Sequence, residues 1–155
     1  MSYVAKYQRV ATISGNYAIG GTNQADHAQE SGRLYLVSAA CTVTLPAVRD
    51  GAYYKFVVKQ DITSASALII NAVAGEDMAG SIRVHVEGSS GNAAELTAIA
   101  QADPADGHDK LTIGGGSNAL HAGSWVECFS DGTYWYLYGD MWANNDAVVA
   151  TFGDQ

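Results

Sequence analysis

The chain has 155 residues, of which 48% are hydrophobic, 10% aromatic and only 15% charged. That composition excludes a disordered chain, which lacks the apolar groups needed to offset ordering entropy, and the length fits one domain with a core of its own. Sixteen acidic residues against eight basic ones leave a formal net charge of −8, which argues against a grip on nucleic acid or on an anionic membrane surface.

Residues 3–10 carry Tyr3, Val4, Tyr7 and Val10, apolar groups at a terminus that need cover from their own domain or a neighbour. They show no secretory signal, since no apolar core follows Lys6 and Arg9. Residues 33–37, 41–45 and 53–59 then alternate in the strand manner, with Pro46 ending the second because it has no ladder donor, and Asp50-Gly51 turning into the third. Residues 68–71 and 81–86 follow. In the latter, Arg83, His85 and Glu87 alternate with Ile82, Val84 and Val86, leaving one wet face. Residues 95–102 suit a short helix and a strand about equally. Residues 114–118, Gly-Gly-Gly-Ser-Asn, read as a loop. The strongest local signal is residues 124–130 and 133–138 around Asp131-Gly132, a β-hairpin whose Gly tolerates the positive φ of a tight turn. Met141, Trp142, Val148, Val149 and Phe152 close the chain, either as internal strands or as an arm.

With 17 glycines spread through many short strands, the expected class is all-β. The expectation is a single domain over 1–155, a β-sandwich or jelly-roll-like fold of short antiparallel strands with at most a short helix, and partner-contacting arms at 1–10 and 141–155. Cys41 and Cys128 sit in apolar alternating stretches and are expected to be buried free thiols. No apolar run approaches the ~20 residues of a membrane span, so the expectation is a soluble chain made in a reducing cytosol.

Catalytic chemistry finds little footing. Asp103, Asp106, His108 and Asp109 gather around Gly107, without the calcium-loop order and without a distal Glu. Glu76 and Asp77 are adjacent and so point to opposite faces of a strand. His27, His85, His108 and His121 show no transition-metal spacing, and His27 with Glu30 carries little functional weight. No phosphate loop or nucleophile elbow is present. Trp125, Phe129, Tyr134, Trp135, Tyr136, Tyr138 and Trp142 offer rings for sugars or bases. The simpler expectation is that alternate members pack in the core. The chain is therefore expected not to be an enzyme and to need no cofactor or metal.

The order of strands and turns carries a resemblance. Thr42-Val43-Thr44-Leu45-Pro46, then Gly51 and Tyr54-Lys55-Phe56-Val57-Val58, resembles a pattern recurring in tailed-bacteriophage structural proteins. So do Ile69-Ile70-Asn71 leading to Gly75 and Gly80-Ser81-Ile82, and Gly123-Ser124-Trp125-Val126 followed by residues 130–135. The resemblance spans roughly residues 33–140. Similar proteins are head decoration (cement) proteins and tail-fibre modules, which implies a β-rich subunit, commonly a trimer, that binds virion partners by surface. A 155-residue chain with no coiled coil or shaft repeat looks more like a decoration subunit. The implied partner is the major capsid protein and the implied location the outer capsid surface of the virion. A fibre tip, or another small tail or head structural protein, that binds the host surface or virion partners is the alternative. Tyr3, Tyr7, Trp142 and Phe152 are the candidate partner contacts. The charge adds one expectation: residues 1–83 hold seven basic and six acidic groups, residues 84–155 one and ten, as if a near-neutral face docked and an acidic one met solvent.

Overall fold

The computed structural model describes residues 10–19, 31–86, 95–114, 119–143 and 149–155. The expected loop beyond Gly114, the His27–Glu30 pair and most of the N-terminal arm, with Tyr3 and Tyr7, lie outside these residues. The described residues are mostly strand: β1 (Val10–Ala18), β2 (Arg33–Thr44), β3 (Tyr53–Val58), β4 (Ile62–Thr63), β5 (Leu68–Asn71), β6 (Met78–Val86), β7 (Glu95–Ala102), β8 (Lys110–Gly114), β9 (Ala119–Leu120), β10 (Trp125–Ser130), β11 (Trp135–Ala143) and β12 (Val149–Gly153). The all-β expectation holds. Residues 95–102 form a strand, and the one helical piece among the described residues is a 3-10 turn over Pro104–Asp106.

The pairing is mixed, not antiparallel throughout as expected. The order is β12-β8-β5-β2-β3-β10-β11-β6-β7. β2 pairs in parallel with β1, β3 and β5, and β11 pairs in parallel with β6. Local turn signals reveal where strands end, but a parallel neighbour is reached through a long connection that leaves no such mark.

β2 organises the whole. Its first half, Arg33 to Val37, pairs with β3, and its second half, Cys41 to Thr44, pairs with β5. One wing, β3-β10-β11-β6-β7, therefore grows from the first half, and another, β5-β8-β12, from the second. β1 runs along β2 through both halves, with a break between Ile13 and Gly15 where Ser38 Oγ donates to the Ile13 carbonyl at 3.2 Å. The wings come together again where β12 lies against β7 and β6. Between them lies a single core. Tyr35 stacks on Phe56 with ring centroids 5.3 Å apart, and Tyr54 meets Trp135 at 5.9 Å. Each such fully buried side chain contributes on the order of 2 kcal/mol.

Cys41 and Cys128 are both free and buried in this core, as expected. Burial pushes the Cys41 thiol up to about 11 and raises that of Cys128 further, so neither is a nucleophile at neutral pH. The C-terminal stretch, expected either as internal strands or as an arm, is strand where it is described. Met141 and Ala143 belong to β11 and are fully buried, while β12 pairs antiparallel with β8 and turns Phe152 inward at 7% exposure. Phe152 is thus a core residue, held there because Phe152 stands opposite Leu111.

Candidate functional site

Strand parity builds the most distinctive surface. Val126, Cys128 and Ser130 of β10 point inward, as do Trp135, Leu137 and Met141 of β11. Trp125, Glu127 and Phe129 must then point outward, with Tyr136, Tyr138, Asp140 and Trp142 beside them. The expectation that alternate rings of this stretch fill the core is met by Trp135 alone. Phe129, Tyr138 and Trp142 are 40%, 44% and 42% exposed.

The antiparallel register sets Phe129 opposite Tyr136, Glu127 opposite Tyr138 and Trp125 opposite Asp140. On one side β3 adds Tyr53 and Lys55, opposite Phe129 and Glu127. On the other β6 adds Arg83 and His85, opposite Asp140 and Trp142. The closing hairpin has a four-residue connection, because Ser130 pairs with Trp135. Asp131 holds it: Oδ1 accepts from the backbone N–H of Thr133 and Tyr134 at 2.8 and 3.0 Å, and Oδ2 accepts from the Tyr136 hydroxyl at 3.0 Å. Those backbone donors hold the Asp131 carboxyl below its usual range, and the carboxylate raises the Tyr136 phenol.

Rings and ion pairs alternate across this face. Phe129 stacks with Tyr136 and Tyr138 at centroid distances of 5.3 and 5.9 Å. Lys55 Nζ lies 2.8 Å from Glu127 Oε1 and 4.5 Å from the Trp125 ring centre. The Lys55 ammonium is the main reason the Glu127 carboxyl sits below its usual range. Burial first, and then the Glu127 carboxylate that its hydroxyl bonds, push the Tyr53 phenol up to about 12. Arg83 forks onto Asp140, with Nε 2.8 Å from Oδ1 and Nη2 3.0 Å from Oδ2. His85 Nε2 stands 3.1 Å from the same Oδ1, and the His85 ring lies flat on Trp142, 4.8 Å between centres and 17° apart. The backbone of Trp142 is also fixed: its N–H donates to Ser124 Oγ at 2.9 Å, and its carbonyl accepts from the His121 N–H at 2.7 Å.

Of the four candidate contacts, then, Trp142 stands on this face, Phe152 is buried, and Tyr3 and Tyr7 lie outside the described residues. Sequence reasoning named Phe129 and Tyr138 among the rings but missed Asp140 on the same face and the buried Ser124 that holds the Trp142 backbone. The alternation of Arg83 and His85 was visible, but not its neighbour β11.

The other constellations are occupied with holding turns. Asp103 Oδ1 accepts from the Ala105 N–H and Asp106 Oδ2 from the Asp103 N–H, both at 2.9 Å, so these carboxylates cap the 3-10 turn. Glu76 takes the Val48 N–H with both oxygens. His108 pairs with Asp154, and His121 with Asp61. Among the described residues no three His, Cys, Asp or Glu side chains come together as a metal site. Comparison of the chain with protein-family models, with curated proteins and with solved structures gives no match.

Proposed function

We propose that the chain is a head decoration (cement) protein of a tailed bacteriophage, a trimeric β subunit that binds the outer shell between major capsid subunits and stabilises the expanded head. The resemblance over residues 33–140 motivates this reading, and β1 is the observation that supports it best. β1 is nine residues long, yet Ile13 is its one buried residue and Val10 is 57% exposed. Among the described residues it pairs only with β2. A sheet edge of this length is ordinarily covered, and a strand so little used by its own core suits contact with another chain. Tyr3 and Tyr7 precede β1 in the sequence.

Physically, a protein that bridges neighbouring shell subunits binds only the expanded lattice and so shifts the equilibrium away from rupture by mass action. Three-fold symmetry lets three weak contacts form together where three capsid subunits meet. The test uses purified protein with expanded, DNA-free capsids. Wild type should saturate the shell and raise its rupture temperature, while a variant lacking residues 1–9 and the Val10→Asp variant should lose occupancy. Full occupancy by both variants, or no capsid binding by wild type, rejects the reading. The exposed ring face favours one rival, a fibre tip that attaches to the host surface. That rival expects binding to host cells and none to capsids.

A further inference from the structure

We propose that the outer face of β10, β11 and β6 is a binding site for a neutral polysaccharide, which seats sugar rings on Trp142 and Tyr138 and gives its hydroxyls to the flanking ion pairs. This goes beyond the place of the chain in a particle and holds for either placement.

The first support is the stacking surface. A pyranose presents a face of C–H groups, weakly positive at hydrogen, which matches the negative face of an indole or phenol. Trp142 is 42% exposed although one side of its ring lies on His85, and Tyr138 is 44% exposed. The second is rigidity. Arg83 fixes Asp140, Asp140 holds His85, and His85 backs the indole. Little side-chain freedom is left to lose when a ligand settles on Trp142.

The third support selects the occupant. Each ring adjoins an ion pair: Tyr138 stands opposite Glu127, which Lys55 neutralises, and Trp142 is next along β11 to the Asp140–Arg83 pair. A protein partner seated here would strip water from four charged groups, at several kcal/mol for each ion, and charged residues are depleted from interface centres for that reason. A carbohydrate has no such difficulty. Its hydroxyls both donate and accept, so they replace the lost water bonds at the carboxylate and at the guanidinium. Nucleic acid is disfavoured because each cation on this face is already matched by a carboxylate, which leaves no charge for phosphate. The same balance points to uncharged sugars over acidic ones.

Affinity electrophoresis tests the proposal. Full-length protein is run in native gels that contain, in turn, α-glucan, β-glucan, galactan and mannan, with tryptophan fluorescence titrations alongside. Wild type should be retarded by at least one of them. Trp142→Ala and Tyr138→Ala should each weaken that binding about tenfold, the scale of one lost ring contact. Arg83→Met, which keeps the stem but loses the fork, should weaken it as well. Val149→Ser, on β12 in the opposite wing, should leave it unchanged. Thermal unfolding of each variant separates loss of binding from loss of fold. No retardation of wild type by any of the four, or equal retardation of wild type and the ring variants, overturns the proposal. So does a self-associating wild type that Trp142→Ala makes monomeric, since the face would then be a subunit contact. Loss of capsid binding with retardation intact would reject the decoration role and leave this site standing.

Discussion

At Glu127 the outer face and the stability of the sheet depend on one carboxylate. Its partners are the Lys55 ammonium at 2.8 Å and the Tyr53 hydroxyl, and both favour the ionised form. The folded value therefore lies below the unfolded value of ~4.3. The resulting stabilisation is complete above that unfolded value and is lost as pH falls through the folded one. Because Lys55 and Glu127 are each about one-third exposed, the pair is worth at most ~1 kcal/mol. Glu127→Gln should lower the urea midpoint at neutral pH, and the gap from wild type should close as pH falls through the folded value. A gap that persists in acid would assign the loss to packing instead of charge. The outward set itself was written in the sequence as parity. Trp125 and Phe129 are an even number of residues apart, as are Tyr136, Tyr138 and Trp142, and Trp135 breaks step. What parity alone left open was which set faced the core. Val126, Cys128, Leu137 and Met141 carry no charge, and they take the inward places where Glu127 and Asp140 would have to be stripped of water.

At the scale of the element, the ring-bearing strands approach one another through glycine. A Cβ on Gly139 would fall 2.3 Å from the Trp125 carbonyl oxygen, and one on Gly80 1.9 Å from that of Leu137. Gly139 has no positive φ, so its reason is closeness alone. Gly139→Ala should destabilise the fold by ~1–3 kcal/mol, read by chemical unfolding, and should weaken polysaccharide retardation because β10 and β11 separate beneath Trp142. Gly153→Ala meets nothing within 4 Å and should be nearly silent. Strands were legible wherever period two met a turn, as at 53–58 and 125–130. Partners were not. Nothing local joins β11 to β6, so Arg83 and Asp140 could be read only as two separate charges until Asp140 was found opposite Arg83. The last strand was ambiguous for a related reason: β12 has its neighbour in β8, beyond any hairpin signal.

For the whole molecule, the division of charge at residue 83 does not become a division between two faces. β10 and β11 of the acidic half lie between β3 and β6 of the near-neutral half, and Glu127 and Asp140 are spent on Lys55 and Arg83. A concentrated acidic region does survive at one end, where the turn of Asp103 and Asp106 adjoins Asp109 and the C-terminal Asp154. Asn at positions 103, 106 and 109 keeps the acceptors of this end and removes three charges. Capsid binding and polysaccharide retardation should be unaffected, while light scattering at low ionic strength should show increased self-association. Weaker capsid binding would place the acidic end at the shell.

The same interleaving decides when the molecule can fold. β3 and β6 each keep an unsatisfied hydrogen-bonding edge until β10 and β11 arrive, and Met78 waits for Trp135. A nascent chain leaving the ribosome thus exposes the open edges of β3 and β6 until residue 143 has emerged. Closing such distant pairs is slow, and open edges invite pairing with neighbouring nascent chains. Late synthesis, and not the early strands, sets the moment at which this protein escapes aggregation.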